Sequence, residues 1–205
     1  TQNLIQATET NPAIINSDKL TIGLPSFYSN YYNSAFSIKD LGAIENKILH
    51  LNPEKAINNL DANGNWIQGN ANLNSLHVGL RFGDLQFRLF HNFNVDVYGN
   101  YPKKLLEIIW YGNERFMGES IEIAPQIDLF TYHEFGLGFG IQANDKLSVG
   151  TNLKYLSGLF SVETRNAEAS LFTSDEVYQL SGQTNMLIYS AGLSAFLEDT
   201  DDDLI

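Results

Sequence analysis

The sequence predicts an all-β fold: a transmembrane antiparallel β-barrel, or the N-terminal part of a larger one, with short helices in loops or a plug. Three observations predict it. The first is period-two alternation over two long hairpins. Over 126–141 the odd positions are Ile127, Leu129, Thr131, His133, Phe135, Leu137, Phe139 and Ile141. The even positions carry Gln126, Asp128, Phe130, Tyr132, Glu134 and three glycines. Such alternation belongs to a strand rather than a helix. The second observation is length. Each strand runs roughly twice the 5–6 residues usual in soluble sheets, and about 9–11 tilted residues span a bilayer. The third is composition. Charged residues make up 18% of the chain, against roughly 25% in an average soluble domain. Hydrophobic residues are 43% and aromatic residues 12%, too apolar and aromatic for disorder.

In the organising hairpin, a turn at Ala143-Asn144-Asp145-Lys146 leads into a second strand reaching Thr164. Leu147, Val149, Leu153 and Tyr155 share one parity; Ser148, Gly150, Asn152 and Lys154 share the other. An apolar outer face over a polar, glycine-bearing inner face is the pattern of a membrane barrel strand. The expected lipid-facing residues are Leu89, Phe93, Leu129, Phe135, Leu137, Phe139, Leu147, Val149 and Leu153. The expected lumen-facing polar residues are Arg88, Asp96, Asp128, Glu134, Asn152 and Lys154.

The chain is expected to form one domain over 1–205, incomplete at its C-terminal end, with 1–18 as a lead-in or plug. Asn11-Pro12 starts a turn in that segment. Residues 19–25 form a short first strand, and 26–36, rich in Tyr, Ser and Asn, an interface loop or a continuing strand. Pro53 opens a short helix, and 61–70 is a polar turn region. Strand pattern returns with Leu76, Val78, Leu80 and Phe82 against Ser75, His77, Gly79 and Arg81. Gly83-Asp84 makes the turn. The next strand sets Leu85, Phe87, Leu89, His91, Phe93, Val95 and Val97 against Gln86, Arg88, Asn92, Asn94 and Asp96. Pro102 opens a helix over 103–110, inside the lumen or against the membrane edge, and Tyr111-Gly112-Asn113 breaks it. After Thr164 come a polar stretch at 165–174, a strand near 176–181 and a last strand at 186–196. About seven or eight strands result, enough to close a small barrel.

Closure is open to question at the far end. Single-chain barrels commonly finish on an aromatic-ended strand, whereas this chain carries five acidic residues between Glu198 and Asp203. No glycine follows to make a calcium loop, so a solvated acidic loop is the better reading.

Trp110-Tyr111-Gly112-Asn113 with Phe116-Met117-Gly118-Glu119 resembles a Bacteroidota outer-membrane β-barrel family known only as a domain of unknown function. Tyr132 through Gly138, Asp145 through Gly150 and Leu153 through Leu159 fit the same family in order, as do Asn11-Pro12-Ala13 and Ile22 through Ser26. The family is similar in architecture to fatty-acid-transporter-like barrels, which include a subunit of the type 9 secretion machinery. The resemblance implies fold and location, and members longer than this chain.

No chemistry is expected. Cysteine is absent, Gly-x-Ser-x-Gly is absent, and no His/Asp pair stands out; catalytic residues, metal ligands and cofactors are expected to be none. His91 and His133 sit on the apolar parity, as neutral histidines at an interface depth. Gly136, Gly138 and Gly140 admit a ligand or plug in close approach, or give room for a barrel bend or a bulky inward neighbour; the structural account is the stronger. A net charge of −12 argues against nucleic acid as a partner and against anchoring on anionic lipid through basic residues.

The expected function is therefore a non-enzymatic outer-membrane barrel of a Gram-negative bacterium, exported with its signal peptide removed. Its expected partners are outer-membrane lipid and other envelope subunits. It serves a secretion or outer-membrane assembly complex, or transports small hydrophobic molecules. The alternative is a soluble β-sandwich or lipocalin-like binding module, with the apolar parity packed inward.

Overall fold

The computed structural model describes residues 5–45 and 47–192. In chain order it has helix α1 (Ala7–Thr10), strands β1 (Leu20–Gly23) and β2 (Ser26–Asn33), a 3-10 turn at Ile38–Asp40, and strands β3 (Gly42–Glu45) and β4 (Ile48–Leu51). Helix α2 (Glu54–Asn58), strands β5 (Asn65–Phe82) and β6 (Leu85–Tyr101) and helix α3 (Lys103–Tyr111) follow. After a second 3-10 turn come β7 (Ser120–Glu122), β8 (Gln126–Asn144), β9 (Leu147–Thr173) and β10 (Leu180–Ala191).

Eight strands form one sheet in the order β1-β5-β6-β8-β9-β10, with β2 also on β5 and β7 also on β9; β3 and β4 form a separate hairpin. Within the sheet β1 with β5, β9 with β10 and β7 with β9 pair antiparallel, as do β3 and β4 in their hairpin. Among the described residues the sheet is open: no pairing joins its β1–β2 edge to β10. The predicted strand class therefore stands, while barrel closure is not among the pairings seen.

Several boundaries moved. Residues 65–70, read as a turn, are the start of β5. Residues 165–173, within the polar stretch read at 165–174, continue β9 to 27 residues. Polar side chains do not end a strand whose backbone is paired on both sides, and β10 and β7 flank this stretch. The strand expected near 176–181 is mostly a turn leading into β10, and the one expected at 186–196 is part of the same β10 as far as Ala191, its 193–196 end lying outside the described residues. Asn166 lies at φ 49, beside a register shift between Asn185 and Leu187, which is how β9 takes up an extra residue. The β3–β4 hairpin had no predicted counterpart. The acidic run 198–203 lies outside the described residues.

By contacts the chain divides into two compact units. The first comprises residues 1–30, 70–95 and 130–159, and the second 31–69, 96–129 and 160–205. In the second unit Ile57, Leu60 and Tyr101 form a buried cluster covered by Ala35, Phe36, Ile67, Leu105, Leu106 and Tyr111. Gly99 is needed there, because a Cβ would stand 2.9 Å from the Ile67 side chain. Helix α3 rests on this cluster by its Leu105–Leu106 side, leaving Ile109 and Trp110 exposed.

Candidate functional site: a polar sheet face and the segment seated on it

In the first unit the alternation sorts side chains as predicted, but with the polar parity inside. Along β6, Gln86, Arg88, Asn92 and Asn94 are buried, while Phe87 and Leu89 are exposed. Along β8, Glu134 is buried with Gly136, Gly138 and Gly140; Phe135, Leu137 and Phe139 are exposed. The β9 residues Leu147, Val149 and Leu153 are exposed too, Leu153 to 70%. Two members of the expected outer row, Phe93 and Leu129, are half-buried. The β5 pattern slips at Ser75–Leu76, both exposed. Ser75 thus lies on the outer side against expectation, with its Oγ 2.5 Å from Nδ1 of His91. Past the slip, His77 points inward and is fully buried.

Residues 5–16 cover the polar face. Helix α1 presents Glu9, whose Oε1 lies 2.9 Å from Nδ1 of His77 and accepts Nδ2 of Asn74 at 2.8 Å. Its Oε2 accepts Nδ2 of Asn92 at 2.6 Å. Asn152 donates to the carbonyl of Thr8 at 3.0 Å. Arg88 donates to the carbonyls of Pro12 at 2.8 Å and Ile14 at 3.1 Å. Farther along, the amide of Asn16 donates to Oε1 of Gln86 at 2.9 Å. One carboxylate and several carbonyls of the segment thus meet a matched array of donors on three strands.

The glycines make the seat. A Cβ on Gly150 would overlap the Pro12 carbonyl, and one on Gly140 would stand 2.8 Å from the Ile15 side chain. Gly136 makes room for Phe90, an apolar residue on the polar parity that is 1% exposed and stacks on His77 at 5.5 Å. Both accounts of the β8 glycines hold, at different positions: the segment approaches Gly140, and a bulky inward neighbour fills the notch at Gly136.

Of the expected polar residues, Glu134 and Lys154 form an ion pair at 3.0 Å, and Glu134 also accepts from Asn92 at 3.0 Å. Arg88 and Asn152 bind the covering segment rather than other side chains of the sheet. Asp96 and Asp128 fall in the second unit. There Asp128 is exposed and accepts the amide of Thr164 at 3.3 Å. Sequence reasoning missed Glu9, Thr8, Asn74 and His77 as one cluster. The available signal was the carboxamide run at period two, Asn70, Asn72 and Asn74 facing Asn92 and Asn94. On the outer side Nε2 of His91 and Nδ1 of His133 are 2.9 Å apart. Among the described residues no group of three or more side chains could hold a metal ion.

No curated protein and no solved structure matches this chain. A family described as a family of unknown function, DUF5723, matches residues 12–205, and the chain belongs to it.

Proposed function

From that membership and the two faces of the sheet, we propose that the protein is a non-enzymatic β-barrel component of a bacterial outer membrane, its polar face occupied by its own N-terminal segment. One observation carries the reading. In the first unit, residues 85–94 of β6 and 134–140 of β8 bury their polar and glycine parity and turn their apolar one outward, and β9 half-buries Ser148, Gly150 and Asn152 beside exposed Leu147, Val149 and Leu153. In water that arrangement is inverted, since burying one Leu or Phe side chain is worth about 1.5–3 kcal/mol. In lipid it is the stable one. The ordered motif run resembling outer-membrane barrels supports the same location.

The apolar outer side also forms a groove of about 480 Å³, lined by Val78, Leu80, Phe87, Leu89, Leu137 and Leu153 among others. That is a surface for acyl chains. The latched segment favours an accessory subunit of an envelope complex over a conduit, because a conduit requires the hydrogen bonds of Glu9 and Arg88 to break. Small hydrophobic cargo remains the second reading, through the outer groove.

The test is fractionation of the native protein. A membrane component stays in the pellet after alkaline washing, needs detergent, and migrates on gels in a heat-dependent way. Recovery in the aqueous fraction would overturn the reading and restore the soluble binding module. Copurifying envelope subunits favour the accessory role; a lone protein carrying lipid favours transport.

A further inference from the structure

Beside the latch lies a cleft of about 540 Å³ in the first unit. Its size falls in the range of roughly 300–1,000 Å³ typical of small-molecule sites. Its walls are carboxamides: Asn70, Asn72 and Asn74 from β5, and Asn92 and Asn94 from β6. Glu9, Glu134 and Lys154 close one side, and Tyr28 contributes an aromatic ring.

We propose that this cleft binds a small neutral polyhydroxylated solute, a mono- or disaccharide, between the Asn72–Asn94 and Asn74–Asn92 pairs and the Tyr28 ring. The proposal rests on the reading of the polar face as a lumen, and names its ligand as polar rather than hydrophobic.

Three features select that class. First, the walls set donors and acceptors side by side: Asn70, Asn72, Asn74, Asn92 and Asn94 each carry a carboxamide, which has both. A hydroxyl likewise both donates and accepts, so a polyol matches such walls. Second, the charges are already engaged. Glu134 is paired with Lys154, and Glu9 is held by His77, Asn74 and Asn92. With two carboxylates against one ammonium, the walls repel an anion. Third, the polar lining denies an acyl chain the apolar surface that it finds on the outer side of the sheet.

The experiment is titration calorimetry of the whole chain in detergent, with glucose, maltose, laurate and inorganic phosphate as separate probes. Glucose or maltose is expected to bind, with laurate and phosphate silent at this site. Asn94→Leu, which removes a carboxamide from the cleft wall, should weaken saccharide binding about tenfold or more, the equivalent of about 1.4 kcal/mol. Asn94→Gln, which keeps a carboxamide, should recover part of it. Circular dichroism of each variant checks the fold. Because Asn94→Leu also removes the acceptor for Asn72, Tyr28→Ala serves as a second variant, on an exposed side chain. It should weaken binding and leave unfolding unchanged. Three outcomes overturn the proposal: no saccharide heat, a cleft filled by solvent only; equal binding by wild type, Asn94→Leu and Tyr28→Ala; or phosphate or laurate displacing the saccharide. The titration reads the same with or without a membrane location, so its failure is distinct from a failed fractionation.

Discussion

Glu9 and His77 stand 68 positions apart in the sequence and 2.9 Å apart in the fold. The imidazole is fully buried and the carboxylate nearly so, with 16% of its side chain exposed. That pair, with the two carboxamides on the same carboxylate, fixes helix α1 to the sheet.

Removing the carboxylate should therefore free the segment before it harms the sheet. Glu9→Leu leaves His77 Nδ1 without its partner in a buried site, a cost of about 1–3 kcal/mol. Hydrogen exchange should speed up over residues 5–16 while the 85–95 stretch of β6 stays protected. Equal acceleration in both would show that the segment is part of the folding core rather than a latch.

The glycine seat gives an independent handle. Gly150→Val places atoms where the Pro12 carbonyl sits, and a backbone carbonyl cannot step aside as a side-chain tip can. Limited proteolysis should then cut within residues 5–16, which the wild type is expected to resist. Gly83→Ala is the comparison. Nothing lies within 4 Å of that position, but its φ is +61, so it costs roughly 1–2 kcal/mol of backbone strain and leaves the segment uncut.

On the outer row, lipid contact predicts a cost that depends on depth. Leu137→Arg, mid-strand and 61% exposed, should destabilise by about 2–4 kcal/mol if it lies near the midplane. Leu147→Arg, just past the Asp145–Lys146 turn, should cost about 0–1 kcal/mol. In water both would be surface changes within about 0.5 kcal/mol. Folding titrations into bilayers read the difference. Gly138→Leu should also be damaging, through the other face, where a Cβ would stand 2.5 Å from Arg88 and 2.6 Å from Asn152.

A local pH response is expected at Asp40. Its carboxyl is lowered from 3.8 to about 2, first by the hydrogen bond from Lys55 and then by the amide and hydroxyl of Ser37. A depressed folded pKa means the ionised form is the one the fold prefers. The contribution is complete above 3.8 and is lost as pH falls through about 2. The Ser37–Asp40 turn should loosen only in that window, as followed by the Asp40 carboxyl shift in NMR. Lys55→Met should move the midpoint back toward 3.8; an unmoved midpoint would exclude Lys55 as the main cause.

Alternation along a strand is a covalent property of extended backbone, so along 85–94 of β6 and 134–140 of β8 the sequence by itself determined which side chains share a face; the slip at Ser75–Leu76 in β5 breaks that rule. The sequence placed Leu89 with Phe87, and Glu134 with the β8 glycines, and located the turns at Gly83-Asp84 and within Ala143–Lys146, where the structure turns at Asp145-Lys146. It could not show that polar segments continue a strand, because pairing of 165–173 depends on distant partners: Ser120 pairs with Phe172, 52 positions away. Nor could it show what lies on the inner face. Only the tertiary structure decided that Glu9, with nothing apolar to bury, would meet His77, Asn74 and Asn92. Long-range hydrogen bonding has no sequence period, so a carboxylate near the start of the chain carries no mark of the strands that hold it.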